Sequence, residues 1–159
     1  MKAWKLAGAL GLAILATPVL SEAASDGSGA YLFTAPGVLN ALGFVTLETG
    51  GGFQWTTDRG LSLGLDGAWM SFPQCFPCGF LTGSLDVAYR FRGQSGKLSP
   101  FVLGGVGGAF TLEEFVPAAS LGGGFHYRLD NGRSVRFEVR DRIFHEGIHG
   151  LGVRVGIAF

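Results

Sequence analysis

Large apolar side chains alternate with small or charged ones over most of the chain. In the segment 150–159, GLGVRVGIAF, large apolar residues occupy every odd position, and glycine, arginine or alanine occupies every even one. A period of two places the two sets on opposite faces of a β-strand, because successive side chains of a strand point in opposite directions. The same alternation recurs towards the amino terminus, so we predict an all-β chain.

Turn-forming residues divide the chain into eight predicted strands. The segments Asp58-Arg59-Gly60, 93–96 and Asp130-Asn131-Gly132 have the residue types of tight hairpin turns, and Asn-Gly is the strongest of these signals. Four longer breaks are predicted at 36–43, 71–79, 113–117 and 145–149. The predicted strands are 29–35, 43–56, 61–71, 80–92, 99–112, 118–129, 133–144 and 150–159.

The charged residues indicate which face of each strand is polar. When the odd-numbered residues of the second, third, fourth, sixth, seventh and eighth strands point outward, nearly all charges fall on the inner face, in connections or in the N-terminal tail, and Asp141 is the exception. The inner set has seven arginines and four acids: Glu48, Asp66, Asp86, Arg90, Arg92, Arg128, Arg136, Glu138, Arg140, Arg142 and Arg154. The glycine-rich strand 99–112 has no clear alternation, so its orientation stays open.

Composition favours an apolar face that points outward. Only 15% of residues are charged and 47% are hydrophobic, whereas roughly 25% are charged in an average soluble domain. Aromatic residues gather near strand ends, as in the interfacial girdles of membrane barrels. The two groups are Trp55, Tyr89, Phe91, Phe101, Tyr127 and Phe159 at the turn side, and Phe33, Trp69, Phe72, Phe110 and Phe144 at the other. We predict a monomeric, eight-stranded antiparallel up-and-down transmembrane β-barrel; the alternative is a soluble periplasmic lipocalin-like barrel with the same pattern turned inside out.

The amino terminus has the parts of an export signal. A short basic segment, 1–5, precedes the apolar segment 6–20, and small residues surround a cleavage point that we place after Ala23. We therefore predict a signal peptide at 1–23 and a barrel domain at 24–159. The 12 basic and 12 acidic residues of the chain cancel, which gives no electrostatic reason to expect a nucleic-acid partner.

Two short motifs carry candidate chemistry. His145-Glu146-Gly147-Ile148-His149 matches the HExxH motif of zinc proteases, but that motif needs a helix, and the strand pattern before it and the glycines within and after it oppose one. We predict a hairpin loop with no metal or cofactor site, and weak surface binding of a transition metal by the two histidines is the alternative. Cys75 and Cys78 are the two cysteines of an exported chain, so we predict a disulfide within a loop.

The inner charges bear on what such a barrel does. An unpaired charge in a narrow lumen is costly, and an eight-stranded barrel is filled by its own side chains, so we predict a paired, mostly closed lumen. This favours a structural or surface-interaction role without catalysis. A small anion-preferring pore is the alternative, because the inner set holds more arginines than acids.

With its export signal, eight alternating strands and the ending 153–159, VRVGIAF, the chain resembles the small outer-membrane β-barrel proteins of Gram-negative bacteria, the OmpA/OmpX-like class. The resemblance implies an outer-membrane location among lipid and lipopolysaccharide, with both termini and the short turns facing the periplasm. It also implies that Phe159 is the aromatic signal read by the outer-membrane insertion machinery. Some similar barrels deacylate lipid A with a Ser-His pair, but no serine follows His145 here, so a lipid A-modifying enzyme is an alternative for which we assign no catalytic residue.

Overall fold

The computed structural model describes residues 28–40, 43–75, 77–91, 97–111, 114–130 and 132–159. The predicted signal peptide, 1–23, lies outside the described residues. The strands are β1 Gly29–Leu39, β2 Phe44–Thr56, β3 Leu61–Ser71, β4 Gly79–Arg90, β5 Leu98–Phe110, β6 Phe115–Arg128, β7 Ser134–Phe144 and β8 His149–Ala158. In this part of the chain, no helix is long and apolar enough to cross a membrane.

The strands form a closed antiparallel barrel, as predicted. Each strand pairs with the next along the chain, and β1 pairs with β8 to close the sheet. We call the end with the β2–β3, β4–β5 and β6–β7 connections the turn end, and the opposite end the loop end. Gly60 and Gly132 adopt positive φ angles of 86° and 80° at the turn end, which explains the glycine at those two predicted turns. Phe159 lies at the same end, where its amide donates to the carbonyl of Ala30 at 2.9 Å.

The first and sixth strands are longer than predicted, because proline was taken as a break. β1 continues through Pro36 to Leu39, and β6 begins at Phe115, before Pro117. Pro36 keeps its place opposite Leu47 on β2, whereas the pairing of β1 with β8 omits residues 35 and 36. Proline lacks an amide hydrogen, so the strand loses pairing on one side only and does not end there.

The apolar face is the outer face of the barrel. On the six strands whose orientation was predicted, most odd-numbered hydrophobic residues are exposed, such as Leu65 at 54% and Val139 at 51%, while many even-numbered positions are buried and polar. This arrangement is the reverse of a lipocalin interior, so the alternative of a soluble barrel with an apolar lumen is wrong. The open question of β5 is also resolved: Phe101 and Leu103 are buried, and Val106 faces outward with 63% exposure.

Three members of the predicted aromatic girdles lie inside the barrel instead. Phe33, Phe101 and Phe144 are only 5%, 4% and 8% exposed. The prediction used distance from strand ends and ignored which face each residue occupies; odd positions point inward on β1 and β5, and even positions point inward on β7. Seven of the other predicted girdle residues are exposed: Trp55, Trp69, Tyr89, Phe91, Phe110, Tyr127 and Phe159.

Candidate functional site: the barrel lumen

Strand β7 lines the lumen from one end to the other. Its inward positions carry, from the turn end, Arg136, Glu138, Arg140, Arg142 and Phe144. All five are buried, and Glu138 is 2% exposed. Because consecutive inward residues of a strand are about 7 Å apart, Glu138 lies within reach of the arginines on either side of it. Both contacts form: Arg136 and Arg140 each make an ion pair with Glu138.

Arginines on β7 and β8 meet acids on the opposite wall. Arg140 contacts Asp86 at 2.8 Å and Asp66 at 3.3 Å. Arg154 contacts Asp66 at 2.8 Å and Glu48 at 3.1 Å, and lies 3.7 Å from Glu138. Glu48, Asp66 and Asp86 lie on β2, β3 and β4, so their ion pairs with these arginines cross the lumen. We call this set of buried ion pairs the central network, made of Glu48, Asp66, Asp86, Arg136, Glu138, Arg140, Arg142 and Arg154.

Hydroxyl groups donate further hydrogen bonds to the carboxylates that the arginines contact. Ser84 donates to Asp66 at 3.0 Å, and the Tyr31 hydroxyl donates to the same carboxylate at 3.3 Å. Thr82 donates to Glu48 at 2.7 Å, beside the Arg142–Glu48 ion pair of 3.0 Å. A buried carboxylate needs several such partners, because its desolvation is otherwise uncompensated. The inner residues Thr82 and Ser84 therefore stabilise the buried carboxylates of the central network by donating hydrogen bonds to them.

The central network is electrically balanced, because it contains only part of the predicted inner charge set. Its four arginines face four acids. Arg90 is only half-buried and Arg128 is exposed, because each is the last residue of its strand at the turn end. Arg92 lies outside the described residues. The positive excess counted from the sequence is thus absent from the middle of the lumen.

Aromatic rings flank the network on its turn-end side. The Arg136 guanidinium lies 4.8 Å from the ring centres of both Tyr31 and Phe101 and donates to Gln54 at 2.8 Å. Arg154 lies 4.1 Å from the Phe33 ring centre. These cation–π contacts replace part of the hydration that a guanidinium loses inside a protein. These rings were not predicted to line the lumen, although the alternation of Tyr31 and Phe33 with outward residues on β1 carried the signal for those two.

Glycines make room for the acids and rings in this narrow interior. A Cβ atom added at Gly105 would lie 2.0 Å from a carboxylate oxygen of Asp86. One added at Gly52 would lie 2.7 Å from the Tyr31 hydroxyl. Neither distance is sterically possible without movement of the neighbouring side chain, so these positions need the smallest residue. The inner glycines therefore help to set where the buried charges sit.

An apolar cluster closes the loop end of the lumen. Leu39, Ala109, Ala118 and Phe144 are buried together there. Phe72, Val116 and Ile148 are among the half-buried residues packed against them. We call this cluster the apolar cap; its members are Leu39, Phe72, Phe80, Ala109, Val116, Ala118, Phe144 and Ile148. It separates the central network from the exterior on that side.

The HExxH match at the loop end, residues 145–149, does not have the helical geometry of a zinc-protease site. His145–Gly147 is a single 3₁₀ turn and His149 begins β8, so the helix required by HExxH is absent from this segment. His149 instead lies 2.8 Å from Asp141, the one strand charge that was predicted to fall outside the inner face, and is a hydrogen-bond partner of that carboxylate. No group of three or more metal-ligating side chains occurs in the described part of the chain.

The cysteines lie close together without a bond. Cys75 and Cys78 are exposed free thiols in the structure, so it does not contain the predicted disulfide, which stays a prediction. A hydrogen bond with Cys78 raises the pKa of the Cys75 thiol. Their contact shows that the backbone already brings the two sulfurs to one place in the β3–β4 connection.

No protein-family model and no curated protein sequence matches the chain. Its fold is similar to that of the N-terminal β-barrel domain of Pseudomonas aeruginosa OprF, with a TM-score of 0.59, 16% identity, and coverage of 82% of this chain and 97% of that one. It is also similar to Neisserial surface protein A, NspA, with a TM-score of 0.54, 14% identity and coverage of 82% and 94%.

A further similar structure is the outer membrane enzyme PagL, with a TM-score of 0.51, 17% identity, and coverage of 79% of this chain and 97% of that one. At these identities the likeness is one of fold. The closed barrel, its apolar outer face and its polar, ion-paired lumen are common features of membrane barrels of this size. The chain therefore has the fold of the small, eight-stranded, OmpA-like outer-membrane β-barrels.

Proposed function

We propose that the protein is an integral outer-membrane barrel with a structural role and a lumen that does not conduct ions. The observation that carries this proposal is the central network, in which four arginines and four acids neutralise one another across the lumen. The exposed apolar outer face supports contact with lipid. We place the barrel in the outer membrane among lipid and lipopolysaccharide, as a monomer without a nucleic-acid partner.

Closure of the lumen argues against the pore alternative. Beside Arg140, Arg142 and Arg154 the free space is a cavity of about 20 Å³, which is enough for roughly one water molecule. The apolar cap lies beyond it at the loop end. An ion that crosses this interior would have to displace paired charges and then pass the cap, and both steps are costly.

Planar-bilayer recording of the refolded barrel tests this proposal. We expect no conductance steps from the protein, whereas a wide porin added to the same bilayer serves as the positive control. Anion-selective steps that change on Arg154→Gln would instead establish a pore. Gel migration with and without boiling shows that the sample is folded, since a folded barrel is expected to migrate differently before heating.

Phenylalanines in or beside the loop-end connections support a lipid-anchoring role more than capture of a protein partner; by sequence position they are Phe72, Phe76, Phe80 and Phe115. Phe72 and Phe80 pack into the apolar cap, while Phe115 is 49% exposed beside the ring of Phe110. Phe76 lies outside the described residues. An exposed aromatic pair at a strand end suits the boundary between membrane and water. We therefore propose that lipopolysaccharide is the main contact at the loop end.

We also propose that the barrel has no enzymatic activity. Among the described residues no serine, threonine or cysteine is hydrogen-bonded to the ring of His126, His145 or His149, and the His149 ring contacts Asp141 instead. A Ser-His mechanism requires that bond to activate the nucleophile. Mass spectrometry of lipid A incubated with the refolded barrel is expected to show no loss of an acyl chain. Deacylation that is abolished by His149→Ala would overturn this proposal.

Phe159 supports a proposed interaction with the outer-membrane insertion machinery. Its ring is 44% exposed at the turn end, and the Arg133 guanidinium lies 5.5 Å from its centre. We expect Phe159→Ala to lower the amount of heat-modifiable barrel in the outer membrane of expressing cells. Refolding in detergent is expected to change little, because no insertion machinery takes part there.

A further inference from the structure

The turn end of the lumen holds a cavity with an excess of positive charge. It has a volume of about 70 Å³, which is room for several water molecules or one small anion. We call it the basic vestibule; the lining residues that matter here are Arg90, Lys97, Ser99, His126, Arg128 and Arg133. The Arg136 guanidinium and the rings of Tyr31 and Phe101 that it contacts lie between this cavity and the rest of the central network.

Two of the vestibule arginines lack an acidic partner. Among the described residues, neither Arg90 nor Arg128 makes an ion pair with a carboxylate, whereas Lys97 binds Asp130 at 2.8 Å. The Nε–H of Arg90 is also buried without a hydrogen-bond acceptor. A buried guanidinium donor without an acceptor is uncommon, since most such groups are satisfied by protein or by a bound molecule.

The balanced network cannot supply the missing negative charge. Its four acids are each engaged by arginines within the network. The two guanidinium groups therefore face a cavity whose positive electrostatic potential favours the binding of an anion.

We propose that the basic vestibule binds a phosphate group. A guanidinium presents paired N–H donors that match two oxygens of a phosphate, and two arginines can hold it from different strands. The hydroxyl of Ser99 lines the same cavity and can donate to a remaining oxygen. The phosphate comes from one of two sources, free inorganic phosphate or the headgroup of a lipid at the rim of the barrel.

Calorimetric titration of inorganic phosphate into the refolded mature chain tests the first source. The barrel is held in non-ionic detergent at low ionic strength, because salt screens such contacts. We expect saturable binding that Arg90→Gln and Arg128→Gln each weaken by about tenfold or more. Arg59→Gln is the matched control, since Arg59 is an exposed arginine in a turn-end connection that does not line the vestibule.

Lipid retention tests the second source. The wild-type chain and the three variants are refolded into phosphatidylcholine vesicles with and without phosphatidic acid, extracted, and examined by native mass spectrometry. Retention of phosphatidic acid that Arg90→Gln and Arg128→Gln reduce and Arg59→Gln preserves identifies a lipid headgroup as the ligand. Absence of both kinds of binding, or equal effects of all three substitutions, overturns the proposal. Circular dichroism and heat-dependent migration confirm that each variant is folded.

Discussion

Glu138→Gln tests whether the central network stabilises the barrel. The substitution keeps the shape of the side chain and removes its charge. In the structure, one oxygen of Glu138 accepts from Arg136 at 2.9 Å and 2.5 Å, and the other accepts from Arg140 at 2.5 Å. The carboxylate is 1% exposed, so water cannot replace it as the partner of these arginines.

The expected loss is large because three buried arginines are affected. Removal of one partner from a buried ion pair usually costs about 3–5 kcal/mol, since the other charge stays buried without compensation. Arg140 and Arg154 retain other acids, whereas Glu138 is the acid bound to Arg136 among the described residues. We therefore expect a loss of about 3–5 kcal/mol in the free energy of unfolding, carried mostly by Arg136.

Urea unfolding in lipid vesicles, followed by tryptophan fluorescence, measures this loss. Trp55 and Trp69 face outward and report on contact with lipid. Asp130→Asn is the control, because its ion pair with Lys97 is exposed and is expected to contribute less than about 1 kcal/mol. Arg136→Gln should cost less in the Glu138→Gln background than in the wild type. Equal losses for Glu138→Gln and Asp130→Asn, or additive losses for the double variant, would show that the buried Arg136–Glu138 ion pair does not stabilise the barrel.

The remaining predictions concern packing and thiol chemistry. Gly105→Ala should lower stability by about 1–3 kcal/mol in the same urea assay, because the added methyl group collides with Asp86, whereas Gly64→Ala should change little, since its added Cβ would meet nothing nearer than 3.8 Å. Mass labelling without reductant should find no free thiol at Cys75 or Cys78; quantitative labelling of both would disprove the disulfide. After reduction, alkylation of Cys75 should be slow at neutral pH and speed up as pH rises, because its raised pKa keeps the thiol protonated. Cys78→Ala, which removes the hydrogen-bond partner responsible, should shift that pH profile to lower pH, and an unchanged profile would contradict the assignment.

The sequence predicted β7 most completely because its polar face is charged. Arginine and glutamate at every second position fix the strand and its inward face. The Arg136–Glu138 and Arg140–Glu138 contacts, which were not predicted, join i and i+2 neighbours on that face. The predicted segment 133–144 differs from Ser134–Phe144 by one residue. A charged inner face and an apolar outer face together leave little freedom in the register.

Other features depend on contacts that the sequence pattern does not contain. β5 has glycines on both faces, so alternation could not say that Phe101 points inward. The bond between Arg136 and Gln54 joins residues 82 positions apart and exists because the barrel closes. Arg90 and Arg128 lie at the turn end because β4 and β6 end at these residues, and alternation along a strand does not mark where the strand ends.

The distribution of the central network over the strands couples charge neutralisation to barrel closure. Three of its acids lie on β2, β3 and β4, and its arginines lie on β7 and β8. In an open sheet, strands β2–β4 lie far from β7 and β8. The ion pairs of Glu138 with Arg136 and Arg140 can form without closure, because all three residues lie on β7. Closure of β1 on β8 therefore brings the remaining acids to Arg142 and Arg154 as it removes the sheet edges. Before closure the inner charges need water, so a dry, lipid-surrounded intermediate with an open sheet is strongly disfavoured.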